Sequence, residues 1–118
     1  AILDTSAACH MPDVIEMPYL PPLLNKQARK GEGYLYRLAG PTCLAGDVIG
    51  EYYLADQLQV GDLVVFGDMA IYTTCKNNTF NGMPLPNIYK IGLEGNLSQL
   101  TNFGYNDFKL RLGSNRKS

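Results

Sequence analysis

The chain has 118 residues, a formal net charge of -1 and 46% hydrophobic residues, which is enough for one small domain with a modest core. Ten basic residues are balanced by eleven acidic ones, which excludes the basic surface of a nucleic-acid-binding protein. Its apolar runs are far shorter than the roughly 20 residues that cross a membrane. Neither nucleic acid nor a membrane is therefore an expected partner.

The three cysteines are an odd number, are widely separated and have no C-x-x-C spacing. This pattern predicts neither a disulfide framework nor a zinc site, and we expect no metal. It fits a reducing, cytoplasmic compartment. The sequence begins with strand-like residues and no initiator Met, so we expect the chain to be cut from a longer protein.

The first half of the chain predicts short β segments separated by prolines and glycines. Residues 1–8 are expected to form a strand, and the prolines in residues 11–22 predict an irregular connection that no helix crosses. A polar loop at 26–33 precedes a strand at 34–38. The short runs 48–49 and 51–54 follow, and then a turn at 60–62.

Residues 63–66 are a continuous apolar run between two Gly-Asp pairs, which predicts the clearest buried strand of the chain. A further β segment or turn is expected at 71–74 and a last strand at 87–91. The pattern shows no amphipathic helix. It therefore predicts a mainly β fold, a small antiparallel barrel or sandwich. We divide the chain into residues 1–30, a β core at 34–91 and a tail at 92–118.

The stretch G-P-T-C-L-A-G-D at 40–47 places Cys43 and Asp47 four residues apart in a glycine-punctuated loop. In one interpretation a stiff bend holds the thiol and the carboxylate at the surface. In the other, Cys43 is a buried strand residue beside a turn aspartate. The spacing alone favours the second, because free cysteine is among the most often buried residue types.

Several further motifs, taken together in their order along the chain, favour the first interpretation, in which Cys43 lies at the surface. G-P-T-C-x-x-x-D from 40, G-D-x-x-x-F-x-D-M-A-x-Y-T from 61 and T-F-N-G from 79 together resemble the C-terminal β-domain of the pyridoxal-phosphate-dependent decarboxylases of fold type III. That family includes ornithine, arginine and diaminopimelate decarboxylases. L-D-T-S-A at 3–7, H-M-P-D at 10–13, E-M-P-Y at 16–19 and C-L-A-G-D at 43–47 are similar to its carboxynorspermidine decarboxylase branch.

The resemblance implies a two-domain homodimer with pyridoxal phosphate as cofactor. The Schiff-base lysine would lie upstream, in a (β/α)8 barrel that this chain lacks, and the β-domain would complete the neighbouring subunit's active site. The implied reaction removes CO2 from carboxynorspermidine or carboxyspermidine to give norspermidine or spermidine. The 118 residues alone are expected to be inactive, because they contain no barrel and no motif around any lysine.

The resemblance also implies roles for individual residues. Cys43 would be the proton donor, since thiols titrate near pH 8.5, about the right range for proton transfer. Tyr72 would bind the cofactor phosphate; its alternative is a core tyrosine. Asp47 would hold the loop and add negative charge near a cationic substrate. The substrate wall in residues 1–30 would contain Asp13, which would bind the distal ammonium, with Glu16 and His10 as weaker candidates. The alternatives are a turn aspartate for Asp13 and a structural histidine for His10.

Two departures from the family pattern bear on the substrate. Leu44 follows the motif cysteine where the ornithine branch has an aspartate, which argues against ornithine. Ile71 stands where related sequences often have alanine or histidine. The remaining alternatives are a diaminopimelate or arginine decarboxylase domain and a non-catalytic homologue that binds a partner protein. Retention of both Cys43 and Tyr72 argues against the non-catalytic homologue.

Overall fold

The computed structural model describes residues 1–43, 45–70 and 72–113. Its helices are α1 (Ala7–His10), α2 (Asp13–Glu16), α3 (Tyr72–Lys76) and α4 (Tyr105–Leu112). Its strands are β1 (Tyr34–Ala39), β2 (Val48–Leu54), β3 (Ile88–Ile91) and β4 (Leu97–Thr101), and a 3-10 turn covers Phe80–Gly82. The described strands form two antiparallel sheets of two strands each.

β1 and β2 form a hairpin whose register runs from Tyr34 opposite Leu54 to Ala39 opposite Val48. The strand predicted at 34–38 is confirmed, and the two short runs predicted after it form one continuous strand. Ile2 extends this sheet by a single parallel bridge to Ala39. Residues 40–47, which we call the Cys43 loop, connect the two strands.

β3 and β4 form the second hairpin, closed by a turn in which the Gly92 N–H donates to the Asn96 carbonyl over 2.8 Å. The strand predicted at 87–91 is confirmed. The tail from 92, whose sequence pattern is weak, contains β4 and the eight-residue helix α4, neither of which the sequence predicted. Most apolar side chains of β3 and β4 are exposed, so the segment lacks the buried face that makes a sequence pattern recognisable.

The strand predicted at residues 1–8 is wrong beyond its first residues, because α1 begins at Ala7. The Ser6 side chain accepts a hydrogen bond from the Cys9 N–H over 3.1 Å and caps this single helical turn. The prediction of an irregular connection at 11–22 is wrong at residues 13–16, which form α2, but no helix crosses a proline there, as predicted. Pro12 lies at the N-cap of α2, where its missing N–H costs nothing, and the helix ends before Pro18.

The predicted strand at 63–66 is wrong, and the β segment or turn expected at 71–74 is wrong for its described residues, 72–74. Only Phe66 makes a strand-like bridge, to Leu23, and Leu63 is 76% exposed. An apolar run predicts burial, but it forms a strand only if a neighbouring segment pairs with it through successive backbone hydrogen bonds. Residues 72–76 form α3; position 71 lies outside the described residues.

Within the described residues, the buried hydrophobic side chains of the core lie between positions 7 and 54. These side chains are Ala7, Cys9, Met11, Val14, Leu23, Leu38, Ile49, Tyr52 and Leu54. The Tyr52 hydroxyl donates to the Pro21 carbonyl over 2.6 Å, and burial raises the pKa of Tyr52 to about 12. The core thus fixes the β1–β2 hairpin, and with it the base of the Cys43 loop.

Candidate functional site

The Cys43 loop presents its thiol at the surface. Cys43 is exposed, so the alternative that it is a buried strand residue is wrong. A methyl group on Gly46 would lie 3.3 Å from the Cys43 sulfur, so the glycine leaves room for the thiol. Position 44, from which the argument against ornithine came, lies outside the described residues.

Asp47 lies under the loop and is only 1% exposed. Its Oδ1 accepts hydrogen bonds from the Ala7 N–H at 2.6 Å and the Ala8 N–H at 3.2 Å. Its Oδ2 accepts from the Thr42 N–H at 3.1 Å and the Thr42 hydroxyl at 2.5 Å. One carboxylate thereby ties the loop to the start of α1.

The charge state of Asp47 is decided by two opposed effects. Burial tends to raise the pKa of this carboxyl, but the hydrogen bonds from the Thr42 hydroxyl and from backbone N–H groups outweigh it. The pKa of Asp47 is therefore below its ordinary value. The carboxylate is ionised at neutral pH, with both of its oxygens already bonded within the chain.

Gly40 is required by the same arrangement. A methyl group there would lie 2.5 Å from Asp47 Oδ2 and 2.6 Å from the Thr5 carbonyl oxygen, both closer than side-chain carbons approach in proteins. Its own N–H donates to the Asp47 carbonyl over 2.8 Å. The G-P-T-C motif thus starts with glycine because the buried carboxylate leaves no space for a side chain.

A second charged cluster joins α2 to α3. The Lys76 ammonium lies 2.7 Å from Asp13 Oδ1 and 3.5 Å from Glu16 Oε2. It also lies 5.8 Å from the centre of the Tyr72 ring, within the range of a cation–π contact. The hydrogen bond to Asp13 raises the pKa of Lys76. Asp13 and Glu16, both predicted to face a cationic substrate, here bind a cation from their own chain.

Tyr72 is 71% exposed at the start of α3, so the alternative that it is a core tyrosine is wrong. Its hydroxyl is accessible to a ligand. His10 is half-buried: its Nδ1 lies 2.8 Å from the Thr5 hydroxyl and accepts from the Ser6 N–H at 3.3 Å. With Nδ1 accepting, Nε2–H donates to the Pro84 carbonyl over 2.8 Å. His10 thus fastens α1 to a distant segment.

The segment after α3 is anchored on both α1 and the Cys43 loop. The Asn78 backbone N–H donates to the Cys9 carbonyl at 3.0 Å, and its side chain donates to the Ala8 carbonyl at 2.9 Å. The Asn81 side chain donates to the Thr42 carbonyl at 2.6 Å. The sequence indicated neither these contacts nor that of Lys76; the one available signal was the Asn-Gly turn pair at 81–82.

The predicted site residues therefore fall into two groups. Cys43, Asp47 and His10 lie around α1 and the Cys43 loop, whereas Tyr72, Asp13 and Glu16 lie around Lys76. A cavity of about 680 Å³ lies elsewhere and contains none of them; its lining includes Asp4, Tyr36, Asp62 and Phe66. In the part of the chain that is described, no helix is long and apolar enough to cross a membrane.

Comparison with known protein families establishes the family of the chain. The model of the pyridoxal-dependent decarboxylase C-terminal sheet domain matches residues 1–70. The chain belongs to the pyridoxal-dependent decarboxylase family. This membership confirms the resemblance seen in the motifs and the mainly β, antiparallel fold class.

Within the pyridoxal-dependent decarboxylases, the chain is 44% identical to a carboxynorspermidine/carboxyspermidine decarboxylase of Campylobacter jejuni, over 94% of this chain and 32% of the relative. It is 43% identical to a carboxyaminopropylagmatine decarboxylase of Synechocystis, over 96% of this chain and 29% of the relative. The crystal structure of carboxynorspermidine decarboxylase from C. jejuni complexed with norspermidine superposes with a TM-score of 0.87 at 43% identity, covering 94% of this chain and 33% of that one. The chain spans about a third of the length of these relatives.

Proposed function

We propose that the chain is the C-terminal domain of a pyridoxal-phosphate-dependent carboxynorspermidine or carboxyspermidine decarboxylase, which releases CO2 to give norspermidine or spermidine. The observation that carries the proposal is the exposed Cys43 thiol on a loop fixed by a buried carboxylate, in a chain that is 44% identical to such an enzyme over most of its length.

Two exposed side chains of this chain fit the cofactor. When bound, pyridoxal phosphate withdraws electrons from the substrate as CO2 leaves. The Tyr72 phenol is accessible and would donate a hydrogen bond to the phosphate. The Cys43 thiol is accessible and would deliver a proton to the substrate carbon that has lost its carboxylate. The Schiff-base lysine and its barrel would lie outside the 118 residues.

The substrate's distal ammonium would bind at Asp13, with Glu16 on the same wall. The contact of both carboxylates with the Lys76 ammonium supports this, because a primary ammonium group already lies against the two side chains. The substrate would have to exchange with Lys76 or bind beside it. Asp47 would act through the loop, since both of its oxygens are already bonded. His10 would support the wall by fastening α1.

The exposed apolar side chains of the second hairpin support a partner surface; they include Ile91, Leu97 and Leu100. We propose that the barrel domain and a second subunit cover such surfaces in a homodimer and that Cys43 serves the partner's active site. The three free thiols support a reducing, cytoplasmic location.

A second candidate substrate is carboxyaminopropylagmatine, because the relative with that activity is nearly as similar, at 43% identity. Its far end is a guanidinium group, which a carboxylate such as Asp13 also binds well. The two candidate substrates differ in the group that would contact Asp13 and Glu16, which is an ammonium in one and a guanidinium in the other. Measuring activity on both substrates distinguishes them.

The test is CO2 release by the complete protein loaded with pyridoxal phosphate, on carboxynorspermidine, carboxyspermidine, carboxyaminopropylagmatine, ornithine and diaminopimelate. We expect the first two to have the highest kcat/KM. Cys43→Ala should lower kcat by about 10²-fold or more, the usual contribution of a positioned acid. Cys75→Ser, which changes an exposed cysteine of α3, should retain full activity.

Full turnover in Cys43→Ala would overturn the proton-donor role. Preference for ornithine or diaminopimelate would overturn the substrate assignment. Absence of any turnover, together with retained binding of a protein partner, would support the non-catalytic homologue instead. The 118 residues alone should show neither cofactor absorbance nor CO2 release.

A further inference from the structure

Thr42, the residue before Cys43, is bonded through all three of its polar groups. Its N–H and hydroxyl both donate to Asp47 Oδ2. Its carbonyl oxygen accepts from the Asn81 side chain over 2.6 Å, across 39 residues of sequence. The backbone that enters Cys43 is therefore held at both its N–H and its carbonyl, by a buried carboxylate and by an amide from another segment.

Asn81 reaches Thr42 from an unusual backbone conformation. Its φ is 56° and its ψ is 26°, in the left-handed region that asparagine tolerates better than most residues. The segment before it is fixed, because Asn78 is bonded to Ala8 and Cys9 and its Oδ1 accepts from the Phe80 N–H at 3.0 Å. The surroundings thus impose a strained conformation that aims the amide at the Cys43 loop.

We propose that Asn81 is a positioning residue for Cys43: its amide fixes the Thr42 carbonyl and thereby the direction in which the thiol points. This rests on the proposed function, in which Cys43 delivers the proton. Asp47 alone holds the N–H side of Thr42 and leaves the peptide group between Thr42 and Cys43 free to tilt. The Asn81 hydrogen bond removes that freedom, and proton transfer depends steeply on such placement.

The test uses two variants of the complete protein that remove the donor in different ways. Asn81→Gly keeps a residue suited to positive φ, and Asn81→Asp keeps the shape but places an acceptor opposite the Thr42 carbonyl. Asn102→Gly is the matched control, because Asn102 is an exposed asparagine between β4 and α4. Hydrogen exchange of the residue 40–47 amides is measured in the cofactor-free protein, and kcat and KM in the loaded enzyme.

We expect both Asn81 variants to accelerate exchange in the Cys43 loop by about tenfold without changing exchange in β3. We expect kcat to fall by about tenfold with KM within about twofold of the original, since the loss concerns placement of the proton and not substrate binding. Asn102→Gly should match the original protein in every measurement. Faster loop exchange with unchanged kcat would overturn the positioning role.

Unchanged loop exchange in both variants would also overturn it, because the hydrogen bond would then not hold the loop. Failure of the proposed function gives different results. If Cys43 is not the proton donor, Cys43→Ala keeps its full turnover, whatever Asn81 does to the exchange of the loop. If the protein is not a decarboxylase, the original protein itself releases no CO2 from any of the five substrates.

Discussion

The molecule contains two carboxylate clusters that use negative charge in opposite ways. Asp47 is buried, and within residues 1–43, 45–70 and 72–113 it is paired with no cation; its oxygens accept from backbone N–H groups and from the Thr42 hydroxyl. Asp13 and Glu16 are more exposed and are paired with Lys76. A buried carboxylate bonded to fixed donors stabilises one local structure, whereas an exposed ion pair can exchange its cation for another at little cost.

Asp47→Ala should break the first cluster and have the largest effect on stability. It leaves four donors without their acceptor, three of them backbone N–H groups, in a buried or partly buried site. We expect the free energy of unfolding of the complete protein to fall by about 3–5 kcal/mol. Denaturant unfolding measures it, with exposed Asp56→Ala as the control. A loss no larger than the control's would show that the carboxylate does not hold the loop.

Gly40→Ala tests the same cluster by crowding instead of deletion. The added methyl group would meet Asp47 Oδ2 and the Thr5 carbonyl at 2.5 and 2.6 Å. We expect a loss of about 1–3 kcal/mol in the free energy of unfolding, typical of overpacking. Gly104→Ala is the comparison, because its methyl group meets nothing within 4 Å. Equal losses in the two variants would contradict the close approach at Gly40.

Acid should weaken the first cluster. The folded pKa of Asp47 lies below its ordinary value, so the unfolded chain takes up a proton before the folded one does. Its stabilisation is present above about pH 4, the unfolded pKa of aspartate, and is lost as pH falls through the folded pKa. Chemical denaturation at a series of pH values measures how steeply the free energy of unfolding falls as the pH is lowered. Asp47→Asn should make this dependence on pH less steep. An unchanged dependence in Asp47→Asn would mean that other carboxyl groups cause it.

The second cluster should contribute almost nothing to stability. Lys76→Met removes the cation that Asp13 and Glu16 share, but Lys76 and Glu16 are exposed and Asp13 is partly exposed, so water and salt screen these ion pairs. We expect its melting temperature to equal that of Lys30→Met, an exposed loop lysine, within experimental error. A clear loss of stability in Lys76→Met but not in Lys30→Met would mean that the second cluster also stabilises the fold.

Much of the candidate site could be predicted from the sequence because its signals are local. The order of short motifs identified the family, and the β-prone run before Gly40 correctly predicted β1, which leads into the Cys43 loop. The structure of residues 63–66 could not be predicted in this way. Their apolar run is continuous, but in the described part of the chain only Phe66 forms a bridge to a neighbour, Leu23. The period of a sequence carries no information about whether a neighbouring strand exists.

The sequence by itself determined the family, the antiparallel character of the fold, and the candidacy of Cys43 and Tyr72. Only the tertiary structure decided that the Asp47 side chain is buried. It alone also decided that Lys76 forms ion pairs with Asp13 and Glu16, and that the Asn81 side chain donates to the Thr42 carbonyl. The physical reason is how far apart along the sequence the interacting residues lie. Motifs and turns depend on residues a few positions apart, whereas these contacts join positions 39 to 63 residues apart, and only the packed chain brings such positions together.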